Sequence, residues 1–140
     1  MKEDAKNETY TRRICEEISN QMIIITSGGG KKQWLKASAH GCQSWLSGVS
    51  NIDPKIAVSF YHWVKTNQKN KINFYFKYIE DPFLKISDNY GWHLTIKAFL
   101  ELKGHFKRYE RSPLMKMDNE KFKLISVKSK NIFKNINKII

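Results

Sequence analysis

The sequence has 140 residues, with 25 Lys and Arg against 13 Asp and Glu, a formal net charge of +12 and 41% hydrophobic residues. That length predicts a single compact domain over residues 1–140 that needs neither disulfides nor metal to fold, and the apolar content excludes a disordered chain. The longest uninterrupted apolar run is Met22–Ile25, far short of the roughly 20 residues of a membrane span, and no signal-peptide pattern opens the sequence. A cytoplasmic protein without a membrane partner is the expectation.

Residues 1–7 read as a frayed lead-in. Tyr10, Ile14 and Ile18 then recur every four residues with Arg12, Arg13, Glu16 and Glu17 on the other side, which predicts an amphipathic helix over 8–20. The β-branched run after Gln21 predicts a short buried strand, followed by Gly28, Gly29 and Gly30. Leu35, Ala39, Cys42 and Leu46 predict a helix over 31–47, weakened at Gly41. In the competing hairpin reading, Lys31–Ser38 is a second strand. Asp53-Pro54 supplies an N-cap with Pro at the first helical position, and Ile56, Phe60 and Val64 carry that helix to residue 67.

From Lys71 the period changes to two. Ile72, Phe74, Phe76 and Tyr78 alternate with polar or aromatic neighbours and predict a strand. Asp81-Pro82 reads as a breaker, 84–87 as a short strand and Asp88–Gly91 as a turn. Leu94, Ile96, Ala98, Leu100 and Leu102 alternate over five pairs and predict the clearest strand, although Leu, Ala, Glu and Lys also favour a helix there. Lys103-Gly104 predicts a bend into a strand over 105–111. Phe122, Leu124 and Ser126 predict a further strand, and Ile132, Ile136 and Ile139 a terminal helix over 129–140. The fold class expected is therefore α+β: N-terminal helices packed on an antiparallel sheet of about four to five strands, closed by a C-terminal helix.

The charge is unevenly spread. Residues 21–79 carry +7 and residues 103–140 carry +8, with near-neutral stretches elsewhere. Of the 25 cations 21 are Lys, beside 16 Ile and 11 Asn, a profile that AT-rich codons would impose, yet codon bias does not deplete Asp and Glu. Blocks of this kind favour polyanionic partners, the alternative being a solvated surface.

Three constellations bear on chemistry. The first is Gly28, Gly29 and Gly30 leading into a helix with Lys31 and Lys32. Successive backbone N–H groups and a helix N-terminus there would cradle an anion, although neither a Walker A nor a GxGxxG pattern is present. The second is the interleaving of aromatic and basic residues: Trp34 beside Lys31, Lys32 and Lys36, and Tyr109 inside 107–111. In a strand, His105, Lys107, Tyr109 and Arg111 share one face and Phe106, Arg108 and Glu110 the other. The first set, with Arg108 beside it, suits phosphate contact and base stacking. Trp34, Trp63 and Tyr75 are equally readable as core. The third is the histidines, of which His93 and His105 are the candidates for acid–base catalysis.

Cys15 and Cys42 lack CxxC spacing and read as small buried hydrophobes, with one disulfide between them open. No metal site and no cofactor is expected. The leading expectation is a small basic, non-enzymatic protein that binds DNA, RNA or a protein–nucleic acid complex, a profile that also fits a phage or mobile-element accessory protein. The alternatives are an inhibitor of a host nucleic-acid-processing or defence complex and a metal-independent ribonuclease of toxin type.

Overall fold

A computed structural model describes residues 1–5, 7–27 and 30–140. The chain divides into two compact units, Met1–Gly48 and Val49–Ile140.

The N-terminal unit alternates strand and helix. β1 (Lys2–Glu3), α1 (Glu8–Ile18), β2 (Ile25–Thr26), α2 (Gly30–Ser38) and β3 (Ser44–Trp45) follow one another along the chain. The strands form a parallel sheet in the order β1-β2-β3, pairing Glu3 with Thr26 and Thr26 with Trp45. Parallel neighbours need a crossover, and the two helices supply it. Asn7 starts α1 by accepting from the Tyr10 N–H at 2.9 Å. The face that Glu3, Thr26 and Trp45 share meets the helices. Thr11 of α1 donates to Glu3 Oε2 at 2.6 Å, Gln33 Nε2 of α2 donates to Thr11 Oγ1 at 2.8 Å, and the Trp34 and Trp45 rings lie 4.2 Å apart.

This part corrects two boundaries. Residues 2–3 form a sheet strand rather than a frayed end, and the helix expected over 31–47 stops at Ser38. Gly41 sits at φ +100, and beyond it Gln43 donates from its backbone to Ile24, bringing the chain back to the sheet as β3. Cys15 and Cys42 are buried free thiols, as read from the sequence.

The regular elements of the C-terminal unit are all helices among its described residues. α3 (Gly48–Ile52) and α4 (Pro54–Lys65) come first, and Asp53 caps α4 by accepting from the Lys55 N–H at 3.1 Å with Pro54 at the first position. α5 (Lys69–Tyr75) runs through one π-helical turn (Phe76–Glu80) into α6 (Asp81–Tyr90). Gly91 at φ +92 separates it from α7 (Trp92–Leu102), and α8 (Asn119–Ile139) closes the chain, capped by Asp118. The core joins Ile56, Phe60 and Trp63 of α4 to Ile72, Tyr75, Ile79, Phe83 and Ile86, to Ala98 and Phe99, and to Ile125, Ile132 and Ile136.

The antiparallel sheet of four to five strands is therefore overturned: 66% of the described residues are helical and 4% are in strands, and what sheet there is is small and parallel. Residues 71–78, 84–87, 94–102 and 122–127 all lie in helical segments. The burial pattern gives the reason. Ile72, Tyr75, Phe76, Ile79, Phe83 and Ile86 are the buried apolar residues, a three-and-four spacing, whereas Tyr78 of the expected strand face is exposed. Likewise Thr95, Ala98 and Phe99 turn inward on α7. Pro82 does not end the helix: it follows the π-helical turn directly, and the Tyr78 carbonyl, four residues before it, accepts from Asn135 Nδ2 at 3.4 Å instead of from the missing N–H.

Candidate nucleic-acid interface

The 105–111 segment has no regular secondary structure and pairs with no strand, contrary to the hairpin expected about Lys103-Gly104, and the Tyr109 N–H donates to the Lys107 carbonyl at 2.9 Å in a tight turn about Arg108. The bend is instead the end of α7. Gly104 at φ +78 lets its N–H reach Glu101 O and the His105 N–H reach Leu100 O, which closes the helix in the left-handed manner glycine permits. From there the segment is held from inside. Glu101 Oε1 takes the Arg108 guanidinium at 2.6 Å and its Oε2 the Arg108 backbone N–H at 2.7 Å. Arg108 Nη2 also donates to Asn119 Oδ1 at 2.5 Å, and the guanidinium lies 3.7 Å over the Phe122 ring, which ties the segment to the first turn of α8. Two residues on, Glu110 is buried and pairs with Lys97 of α7 at 2.9 Å, while Lys97 also donates to the Tyr109 carbonyl. Burial opposes the charge on Glu101, but the hydrogen bonds from Arg108 prevail and hold its carboxyl below the usual range.

With Arg108 and Glu110 turned inward, Lys107, Tyr109 and Arg111 stand outward, Tyr109 at 73% exposure, and His105 is also exposed. The alternation read from the sequence therefore holds from Lys107 to Arg111 but fails at Phe106, which was expected on the inner side and is exposed. Arg108, expected among the nucleic-acid contacts, is engaged within the unit instead.

α8 adds a feature that sequence reasoning missed. Ile125, Ser129, Ile132 and Ile136 face the core, and Lys123, Lys130, Lys134 and Lys138 recur with Val127 on the opposite side. Lys138 lies over the Phe74 ring at 5.7 Å, and Lys123, Lys130 and Lys134 are exposed. The helix carries six lysines against Glu120 alone. The spacing was in the sequence, but reading 122–127 as a strand broke it.

The other candidates are dispersed. Gly28 and Gly29 of the expected anion turn lie outside the described residues. Gly30 opens α2 at φ +67. Lys31 is fully buried, donating to Ser47 Oγ at 3.1 Å and lying 5.9 Å from the Trp45 ring centre, so it does not face solvent. Lys32 and Lys36 are exposed, and Lys36 pairs with Glu8 at 2.6 Å. Trp34, Trp63 and Tyr75 are core residues. His93 stands in the first turn of α7 and His105 beyond its last, with about 14 Å of helix between them at 1.5 Å per residue, so they do not converge on one bond. Among the described residues no three His, Cys, Asp or Glu side chains cluster to hold a metal, and no helix is long and apolar enough to cross a membrane.

No known family model matches the chain, and no curated protein compared with it is similar.

Proposed function

We propose that the chain is a nucleic-acid-binding protein without catalytic activity of its own, and that its contact face is the 105–111 segment with the outer side of α8. The observation that carries this reading is the inward tethering of Arg108 and Glu110, which fixes Lys107, Tyr109 and Arg111 outward together. Two cations and an aromatic ring on a held backbone supply phosphate contact and stacking with little ordering cost on binding. The lysines of α8 supply sequence-independent affinity.

Changing Lys107→Glu and Arg111→Glu together reverses four charge units on this face and touches no core residue. Affinity for an oligonucleotide should fall at least about tenfold, near 1.4 kcal/mol, with the thermal midpoint unchanged. For about five phosphate contacts, log affinity should fall against log salt with a slope of about −3 to −5. Absence of binding at low salt, or binding that survives the reversal, would refute the assignment. A second reading, an inhibitor that docks on a nucleic-acid-processing protein, draws on the exposed Phe106, Leu114 and Met115 in the same region. It predicts a stable complex with a protein and none with bare oligonucleotides.

A further inference from the structure

We infer that the nucleic acid held at the 105–111 segment is single-stranded rather than duplex, an inference that rests on the reading above. Tyr109 is 73% exposed and Phe106 53% exposed, two rings in water on one short segment. Loose packing does not explain them. The backbone on which they stand is tied at Arg108, whose N–H donates to Glu101, and at Tyr109, whose carbonyl accepts from Lys97, and the side chains of Arg108 and Glu110 are anchored to Glu101, Asn119 and Lys97. The segment therefore presents these rings from a held backbone.

A duplex offers a protein its phosphates and groove edges, while the faces of its bases are already stacked on one another. A ring standing between two cations finds no free base face there. An unpaired strand offers both, since its bases can leave the stack and lie on an aromatic ring while the phosphates on either side meet cations. Lys107 and Arg111 are each two residues from Tyr109, at most about 7 Å along the chain, so a base on the Tyr109 ring has its flanking phosphates within reach of both side chains. The exposed lysines of α8 give the rest of the strand a basic surface to follow.

The test compares a fluorescent oligothymidylate of about 20 nucleotides with the duplex it forms with oligoadenylate, by anisotropy on the full chain. The single strand should bind at least about fivefold more tightly, and Tyr109→Ala should remove that advantage while leaving duplex binding unchanged. Tyr109→Phe should retain it, because stacking uses the ring and not the hydroxyl. Duplex binding equal to or tighter than single-strand binding, or a Tyr109→Ala variant that binds the single strand like the parent, overturns this inference and leaves the nucleic-acid reading standing. Failure of both probes to bind at low salt overturns both readings.

Discussion

Replacing Arg108 should weaken the fold first and binding only through it. The guanidinium is 18% exposed and the Glu101 carboxylate 16%, so the pair lies between a surface ion pair, worth about 0–1 kcal/mol, and a buried one, whose disruption costs about 3–5 kcal/mol. The hydrogen bond to Asn119 and the stacking on Phe122 go with it, the latter worth about 0.5–1 kcal/mol. Arg108→Ala should therefore destabilise the C-terminal unit by about 2–3 kcal/mol. Arg108→Lys keeps the charge but loses the planar fork and the stacking, and should retain at least half of that loss. Urea denaturation followed by tryptophan fluorescence measures the stability, and oligonucleotide anisotropy on the same variants measures binding. A tether predicts that lost affinity tracks lost stability. If Arg108→Ala reduces affinity as strongly as the Lys107/Arg111 reversal with the denaturation midpoint unmoved, Arg108 is a ligand contact and the inward-tether argument fails.

Two glycines with positive φ should behave differently. A Cβ on Gly41 would lie 2.7 Å from Ser19 Cβ and 2.4 Å from its Oγ, so Gly41→Ala should cost more than about 2 kcal/mol, whereas Gly104→Ala meets no atom within 4 Å and should cost about 1 kcal/mol from backbone strain alone, both read by thermal denaturation. Burial, with Cys42 beside it, pushes the Cys15 thiol up to about 11 from an ordinary 9.0. Its contribution is complete below pH 9 and is lost as pH rises toward 11, so the stability of the N-terminal unit should fall across that window, and a Cys15→Ala variant should lack the fall. Glu101 has the opposite sign: its pKa is lowered on folding, so its contribution is complete above about pH 5 and disappears as pH drops through the lowered value, an acid limb that Glu101→Gln should remove from the urea midpoint.

What could be read from the sequence was whatever single residues determine. Asp53-Pro54 specifies a cap and a first helical position by itself, and it starts α4 as expected. The outward placement of Lys107, Tyr109 and Arg111 also agrees with the sequence, but it comes from the inward ties of Arg108 to Glu101 and Glu110 to Lys97 rather than from a strand, and Phe106, read on the inner side, is exposed. Residues 71–78 could not be decided in this way. With Ile72, Phe74, Tyr75, Phe76, Tyr78 and Ile79 all apolar, periods of 2 and 3.6 fit equally well in so short a window, and the burial of Tyr75 and Ile79 decides for the helix. The parallel sheet was hidden for another reason. Its strands are two residues long, β1 is Lys-Glu, and pairing of that kind rests on backbone groups that leave no side-chain pattern. Lys31 misled in the opposite direction: a cation next to a glycine run reads as surface, but Ser47 and the Trp45 ring accommodate it inside.

The acids of the C-terminal unit define its basic face as much as the cations do. Asp53 holds Lys103, Glu101 holds Arg108, Glu110 holds Lys97, and Asp118 holds Lys121. These four acids are spent on internal ties and caps, while among the described residues Lys123, Lys130 and Lys134 on the outer side of α8 form no ion pair with an acid. Lys130 and Lys134 are four apart on one helix face, a like-charge pair that costs a helix about 0.2–0.5 kcal/mol. If this repulsion is kept for a polyanionic partner, relieving it should raise stability and lower affinity together. Lys130→Glu places an acid four residues before Lys134, the favourable order for a helical ion pair, and the gain should reach about 0.5–1 kcal/mol. The thermal midpoint should rise by a few degrees for a unit of this size, while oligonucleotide affinity falls and the slope against log salt becomes shallower by about one to two. A solvated face with no partner would show the stability gain alone. A variant that is more stable and binds as tightly, with an unchanged salt slope, would remove α8 from the contact face and leave the 105–111 segment to carry it.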